Sequence, residues 1–385
     1  MRALHFGGGN IGKGLIGYVL NQNGFLVEFV DVSDESIDRF NRNKRYIIEQ
    51  LDDKKTTHIL EPVAALHGLS QKEDVLTSIQ EADIITTSVG VTNLEKLAPT
   101  LAEGLVRRLE QKGTTVDVMA NENALHATAL LKEAVKKHLS PEQFAAIAEK
   151  TGFPNVAIDR LSLTKADDQV EMVLVEPYFE WIVEQPAIVN DTTAQLEGVT
   201  YVEDLAPYIE RKLFIVNMGH AATAYLGHLH HEPTIQHALK HPDIEETVRG
   251  AMTEVSRYLE AAYDMKPEEL ADYIDRTISR FKNDLIADDI YRVGRAPIRK
   301  LHAEERLVKP AKALADRGLS YTNLAKAIAA GYLFNPSEDE EALAIQAYIA
   351  ETSMEEALEH FSQIEQPSFK KKVISFYETM AQTSW

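Results

Sequence analysis

Close to its N-terminus the chain reads Gly7-Gly8-Gly9-Asn10-Ile11-Gly12. Glycine loses more backbone entropy on ordering than any other residue, so such a run belongs in a turn with unusual backbone angles. A short apolar stretch, Ala3 to Phe6, precedes it, and Ile11 to Leu20 follows with apolar residues at helical spacing. A strand that turns through glycines into a helix opens a dinucleotide-binding β-α-β unit. The pattern G-x-G-x-x-G falls on Gly7, Gly9 and Gly12. The first glycine allows the tight turn, the second lets backbone approach a pyrophosphate, and the third lets helix and strand pack closely. The helix start then offers free N–H groups and a partial positive charge to phosphates. Asn10 and Ile11 lie in the same turn and join Gly7, Gly9 and Gly12 as expected cofactor contacts. Two readings of Asn10 stand side by side: it orients the cofactor, or it tolerates a left-handed turn.

Asp31 ends the next apolar run, Leu26 to Val30, at about the 20-residue interval where an acid hydrogen-bonds the adenosine ribose. An acid there repels a 2′-phosphate and so favours NAD over NADP. Lys13 and Arg39 are near enough in sequence to soften that repulsion. Further apolar, β-branched runs at Asp83 to Ser88 and Thr115 to Met119 alternate with helical spacing over Leu94 to Gln111 and Glu122 to His138. Short strands separated by helices predict an α/β fold with a doubly wound parallel sheet. Val89 follows the Asp83 to Ser88 run, where the rim of such a sheet meets the nicotinamide side of a cofactor. From about Asp191 the pattern becomes almost continuously helical. A chain of 385 residues exceeds what one core usually supports. We expect an NAD-binding Rossmann domain over residues 1–195 and a mainly α-helical substrate-binding domain over residues 196–385.

The formal net charge is −20. Such a field disfavours nucleic acid and anionic membranes as partners. It also repels an anionic substrate, so a phosphorylated one requires a local cluster of Arg or Lys. There is no Cys, which excludes disulfides, thiolate zinc sites and Cys nucleophiles. No apolar run approaches the ~18–20 residues of a membrane span, and no export signal precedes the glycine loop. A cytoplasmic protein is the expectation.

The segment from Tyr208 to His220 carries Lys212, Asn217 and His220 around the apolar run Leu213-Phe214-Ile215-Val216. On an α-helix Asn217 lies about 140° from Lys212 and His220 about 80° from it, so the three share one broad arc. The apolar run marks the helix as largely buried, and polar groups on a buried helix must face a cavity or a partner. Apolar surroundings disfavour a lysine ammonium relative to the neutral amine, which is what a general base for alcohol oxidation needs. Lys212 would take the hydroxyl proton as hydride leaves carbon. Asn217 would donate to the reacting oxygen, and His220 would hold a neighbouring hydroxyl. Spacing alone favours the plainer reading, a solvated lysine on a helix that also carries an Asn and a His.

Lys212-x4-Asn217-x2-His220 resembles the signature of the polyol-specific long-chain dehydrogenases, a metal-independent family. The resemblance runs through the whole chain. It includes His5 to Gly12, Ala82 to Thr87, Asn121-Glu122-Asn123, Ile158-Asp159-Arg160, Val175-Glu176-Pro177-Tyr178 and Arg292 to Leu301, in that order. It implies NAD, oxidation of a secondary alcohol without zinc, and the pair mannitol 1-phosphate and fructose 6-phosphate. It also implies a Rossmann domain followed by a helical substrate domain, with the site in the cleft between them, in a monomer. Lys212 matches the family's base, Asn217 and His220 its accompanying site residues, and Asn123 and Asp159 positions that line the same cleft.

The basic cluster that the net charge demands is supplied by Arg292, Arg295, Arg299 and Lys300, with Lys309 nearby. Guanidinium forks suit phosphate oxygens, so we expect one of Arg292, Arg295 or Arg299 to hold a sugar phosphate. The alternative is structural pairing with Asp288, Asp289, Glu304 and Glu305. His228, His230, His231, His237 and His241 lie close in sequence, but their spacing fits no common zinc pattern, and no metal is expected. Two other functions compete: a dehydrogenase of an unphosphorylated polyol or hexuronate, and a dinucleotide sensor without turnover. Lys212, Asn217 and His220 argue against the sensor, which has no use for a buried base.

Overall fold

Short strands alternating with helices build the first half of the molecule. The computed structural model describes residues 1–111, 113–124 and 126–383. The chain divides into two compact units, Met1–Tyr208 and Ile209–Trp385. In the first unit six strands form one sheet: β1 (Arg2–Phe6), β2 (Leu26–Asp31), β3 (Val63–His67), β4 (Ile84–Thr87), β5 (Val116–Ala120) and β6 (Thr151–Gly152). Their order is β3-β2-β1-β4-β5-β6 and every pairing is parallel. Strand order reverses between β1 and β4, the doubly wound Rossmann arrangement, in which ligands bind beyond the strand C-termini at the reversal.

Successive side chains on a strand point to opposite faces. Ala3, Val27, Phe29 and Ile84 therefore join Leu15, Ile16 and Phe40 in one core. Leu4, Phe6, Val30 and Ile85 join Ile79, Leu101 and Leu131 in the other. A sheet covered on both faces explains why these strands read as nearly unbroken apolar runs.

Two smaller sheets depart from the sequence reading. One orders Ser162–Lys165, Met172–Val175, Tyr46–Gln50 and Thr57–Leu60; the other orders Thr200–Val202, Glu180–Glu184 and Val156–Asp159. Their strands are three to five residues long and partly exposed, too short for periodicity to separate them from loops. Thr200–Val202 pairs with Glu180–Glu184, so the first unit runs on past the turn at Asn190 to Thr193.

The second unit is mainly helical. Helices Met218–Leu229, Pro242–Tyr263 and Thr322–Leu333 pack on one another. Small residues permit the approach: a Cβ on Gly219 would stand 2.0 Å from Met252 Cε. Buried Glu254 accepts from the Asn323 and Leu324 N–H groups at 3.0 and 2.9 Å. Its charge thereby satisfies orphan donors at the start of helix Thr322–Leu333.

His5, in the middle of the parallel sheet, is fully buried. Its Nδ1 meets Thr86 Oγ1 at 2.7 Å and its Nε2 meets Ser88 Oγ at 2.8 Å. Burial pushes its pKa down from 6.5 to about 3. Between those values the unfolded chain binds one proton more than the folded chain, so stability falls as pH falls through that window. The slope is about 1.4 kcal/mol per pH unit. Denaturant titrations of wild type and His5→Gln across pH 6.5 to 3 should differ in pH slope by that amount, with the wild type steeper. Equal slopes would show that His5 is not held neutral.

Candidate active site

The glycine loop leaves β1 at its C-terminal end, at the reversal of strand order. Gly7 has φ +107°, and a Cβ there would lie 2.5 Å from the Ser88 carbonyl oxygen. At Gly12 a Cβ would lie 2.1 Å from the Gly7 oxygen and 2.6 Å from His5 Nε2. Both glycines are thus required by the protein's own packing. Gly9 is different, because a Cβ there would meet no protein atom within 4 Å. The protein's own packing therefore leaves open space at position 9, room that the close approach of a pyrophosphate would use.

The helix that follows contains a π-helical segment, Gly12–Gly17. Such a turn shifts hydrogen bonding to i→i+5 and leaves carbonyls out of register. Tyr46 Oη donates to the Lys13 carbonyl at 2.8 Å, and Arg160 Nη1 donates to the Gly14 carbonyl at 2.6 Å. Arg160 also lies over the Tyr18 and Phe179 rings. Asn10 begins the helix without positive φ, so the left-handed-turn reading falls away. Its Oδ1 accepts from Thr164 Oγ1 at 3.1 Å. Ile11 packs partly buried against the core.

Asp31 stands at the end of β2, half-buried. Its Oδ2 accepts from the Gly8 N–H at 2.6 Å, and its Oδ1 from Val32 and Ser33 N–H at 2.7 and 3.0 Å. It therefore braces the glycine loop, a role the sequence did not reveal. Lys13 and Arg39 do not soften its field as expected. Lys13 Nζ meets Glu171 Oε2 at 2.5 Å and Arg39 Nε meets Glu171 Oε1 at 2.6 Å, so one buried carboxylate holds both cations.

Glu122 was missed as a site residue. It accepts from Thr87 Oγ1 at 2.8 Å, Val89 N–H at 3.0 Å and Gly90 N–H at 2.8 Å. The turn after β4, including half-buried Val89, is thus fixed by a residue from the end of β5. Its signal was its place in Asn121-Glu122-Asn123, two residues past the end of β5. Asn123 is exposed on the same loop, and Asp159 is buried at the end of its strand.

In the second unit, Lys212 to Asn217 form another π-helical segment, with Met218 N–H bonded to the Leu213 carbonyl. This corrects the 140° separation read from an ideal α-helix. Hydrogen bonds spanning five residues bring position 217 nearer in angle to position 212 than an α-helix would, through a backbone feature invisible to spacing. Phe214, Ile215 and Val216 are buried, while Lys212, Asn217 and His220 are half-buried.

His220 Nε2 lies 2.6 Å from Asp288 Oδ2, and its ring stacks on Phe281 at 4.9 Å. Burial, then Arg292, Lys300, Arg280 and Arg306, push its pKa down to about 3. The other oxygen of Asp288 is paired with Arg292. A carboxylate only accepts, so Nε2 is the donor to Asp288, and in the neutral ring Nδ1 is left as an acceptor.

The basic cluster is largely committed, as the structural alternative allowed. Arg292 pairs with Asp288, Arg299 with Glu305 at 3.3 Å, and Lys309 with Glu210 at 3.0 Å. Lys300 is buried and donates to the carbonyls of Val293 and Arg295. Burial, then the Arg306, Arg299 and Arg295 guanidinium groups, push its pKa down to about 7. It clamps the corner at Ala296, whose φ is +57°. Arg295 is exposed and enters no ion pair among the described residues. The histidines pair separately: His228 with Asn335 at 2.8 Å, His241 with Glu232 at 2.6 Å and His230 with Asp243 at 3.5 Å. Among the described residues no group of three potential ligands gathers to hold a metal.

The Rossmann-domain model of the mannitol dehydrogenases matches residues 1–198, and their C-terminal-domain model matches residues 204–381. A mannitol-1-phosphate 5-dehydrogenase of Bacillus licheniformis is 42% identical over 351 residues, 91% of this chain and 92% of the relative. One of Shouchella clausii is 42% identical over 95% of this chain and 97% of its own length. One of Streptococcus mutans is 37% identical over 98% of this chain and 99% of its own. In fold, a substrate-free D-sorbitol dehydrogenase superposes with TM-score 0.85 at 17% identity, covering 99% of this chain and 93% of the other. A Pseudomonas fluorescens mannitol 2-dehydrogenase, solved with NAD and D-mannitol, gives TM-score 0.74 at 18% identity, covering 100% and 92%. Two domain matches in order and relatives alike from end to end place this chain in the mannitol dehydrogenase family.

Proposed function

We propose that this protein is an NAD-dependent oxidoreductase that interconverts D-mannitol 1-phosphate and D-fructose 6-phosphate. The observation that carries the reading is identity of about two residues in five, over nearly the whole chain, with relatives named for that reaction. Hydride acceptance is the chemistry that NAD supplies when bound. Gly7, Gly9, Asn10, Ile11 and Gly12 would hold its pyrophosphate, Asp31 its adenosine ribose, and Val89 would border the nicotinamide. Lys212 takes the hydroxyl proton during oxidation and returns it during reduction. Asn217 donates to the reacting oxygen, and His220 accepts from a neighbouring hydroxyl through Nδ1. Asn123 and Asp159 are the substrate contacts that the resemblance assigns within the first unit. Arg295 is the favoured phosphate contact, because its guanidinium is not engaged in an ion pair. The commitment of Arg292 and Arg299 to carboxylates favours the second reading, an unphosphorylated polyol or hexuronate.

Loss of NADH absorbance on adding fructose 6-phosphate, with free fructose and an EDTA-treated sample alongside, separates the two readings. Rapid loss with the phosphate alone, unaffected by EDTA, is expected; loss with fructose alone would transfer the reading to an unphosphorylated substrate. Lys212→Ala should cut turnover by at least about 100-fold with NADH binding, read by fluorescence, unchanged. Arg295→Ala should raise KM for fructose 6-phosphate about tenfold, the size of one charge-assisted hydrogen bond, with kcat little altered. Glu171→Gln should release Arg39 and raise the NADPH-to-NADH ratio of kcat/KM by about tenfold. An unchanged ratio would show that Glu171 plays no part in cofactor choice.

A further inference from the structure

A buried carboxylate is costly unless it is paired and hydrogen-bonded. Asp288 is 5% exposed, and both its oxygens are used. Oδ2 accepts from His220 Nε2 at 2.6 Å, and Oδ1 accepts from Arg292 Nη2. Its backbone is tied as well. The N–H donates to Gln236 Oε1 at 3.1 Å, and the carbonyl accepts from Ile235 N–H at 2.9 Å. The next residue, Asp289, accepts from the Arg292 N–H at 2.7 Å and caps helix Ile290–Gly294. Consecutive acids thus hold Arg292 at its backbone and at its guanidinium.

We propose that Asp288 is a positioning residue for the reaction: it fixes His220 in the tautomer with the proton on Nε2 and ties that ring to Arg292. The inference rests on the assignment of His220 to the substrate site made above. An ionised carboxylate only accepts, so the ring nitrogen facing it must carry hydrogen. Nδ1 is then left as the acceptor for a substrate hydroxyl. Stacking on Phe281, with ring planes 23° apart, holds the ring plane while Asp288 selects the tautomer. The same carboxylate occupies part of the Arg292 fork, which gives that arginine a fixed direction. An amide in place of this carboxylate offers a donor as well as an acceptor, and it no longer dictates which nitrogen is protonated.

Proton–nitrogen correlation spectra of the imidazole side chains test this without substrate. The signal of His220, among 13 histidines, is identified by its loss in His220→Gln. The wild type should show the Nε2–H tautomer alone, and Asp288→Asn should show a mixture or the Nδ1–H form. In parallel, Asp288→Asn should lower kcat with fructose 6-phosphate by tenfold or more while NADH affinity stays unchanged. Arg292→Ala should keep the wild-type tautomer. A wild-type ring that is doubly protonated or in the Nδ1–H form overturns the proposal, even if Asp288→Asn does not fold. An Asp288→Asn protein with wild-type tautomer and kcat overturns it too. If the wild type shows the expected tautomer but no turnover of fructose 6-phosphate, the substrate assignment fails and the positioning of His220 stands.

Discussion

The first unit depends on how closely a helix can approach the strand before it. Any side chain at residue 12 would collide with the Gly7 carbonyl and the His5 ring. That contact sets the helix N-terminus over the end of β1, where its free N–H groups face the reversal of strand order. The surroundings serve the same contact. His5 is held neutral below it, Asp31 braces Gly8 from the side, and Tyr46 and Arg160 take the carbonyls that the π-helical segment displaces. A Cβ at Gly9 would meet no described protein atom within 4 Å, which leaves room there for a ligand. The loop therefore reads as a binding site and not only as a turn.

The same backbone device recurs in the second unit, between Lys212 and Asn217. π-helical turns are rare and frequently lie at functional sites. Here the turn changes how residues are placed around the helix. Ideal helical geometry sets Lys212 and Asn217 well apart, whereas the π register brings them nearer in angle. The roles proposed for Lys212 and Asn217, a proton acceptor and an oxyanion donor on one substrate oxygen, need such proximity.

Both units rely on single carboxylates that gather partners from distant parts of the chain. Glu171 holds Lys13 and Arg39, Glu122 holds Thr87, Val89 and Gly90, and Asp288 holds His220 and Arg292. Each is buried and saturated, so each fixes the direction of the groups around it rather than adding to the surface field. With a net charge of −20, the proposed anionic substrate needs a cation that no carboxylate already holds. Within the cluster from Arg292 to Lys300, Arg295 is exposed and enters no ion pair among the described residues.

The sequence by itself determined the parallel sheet, the glycine turn at its edge, Asp31 at the end of β2 and the helix bearing Lys212, Asn217 and His220. These are local patterns, in which spacing of two or 3.6 residues maps directly onto a buried face. The tertiary structure decided what the charges do. Arg292 and Arg299 looked like a phosphate cluster because neighbouring cations are visible in sequence. Whether a guanidinium meets a ligand or a carboxylate depends on residues brought to it by the fold. Asp288, 68 positions from His220, shows the reason. A hydrogen bond needs atoms within about 3 Å, and no periodicity along the chain records which remote residues the packing brings that close.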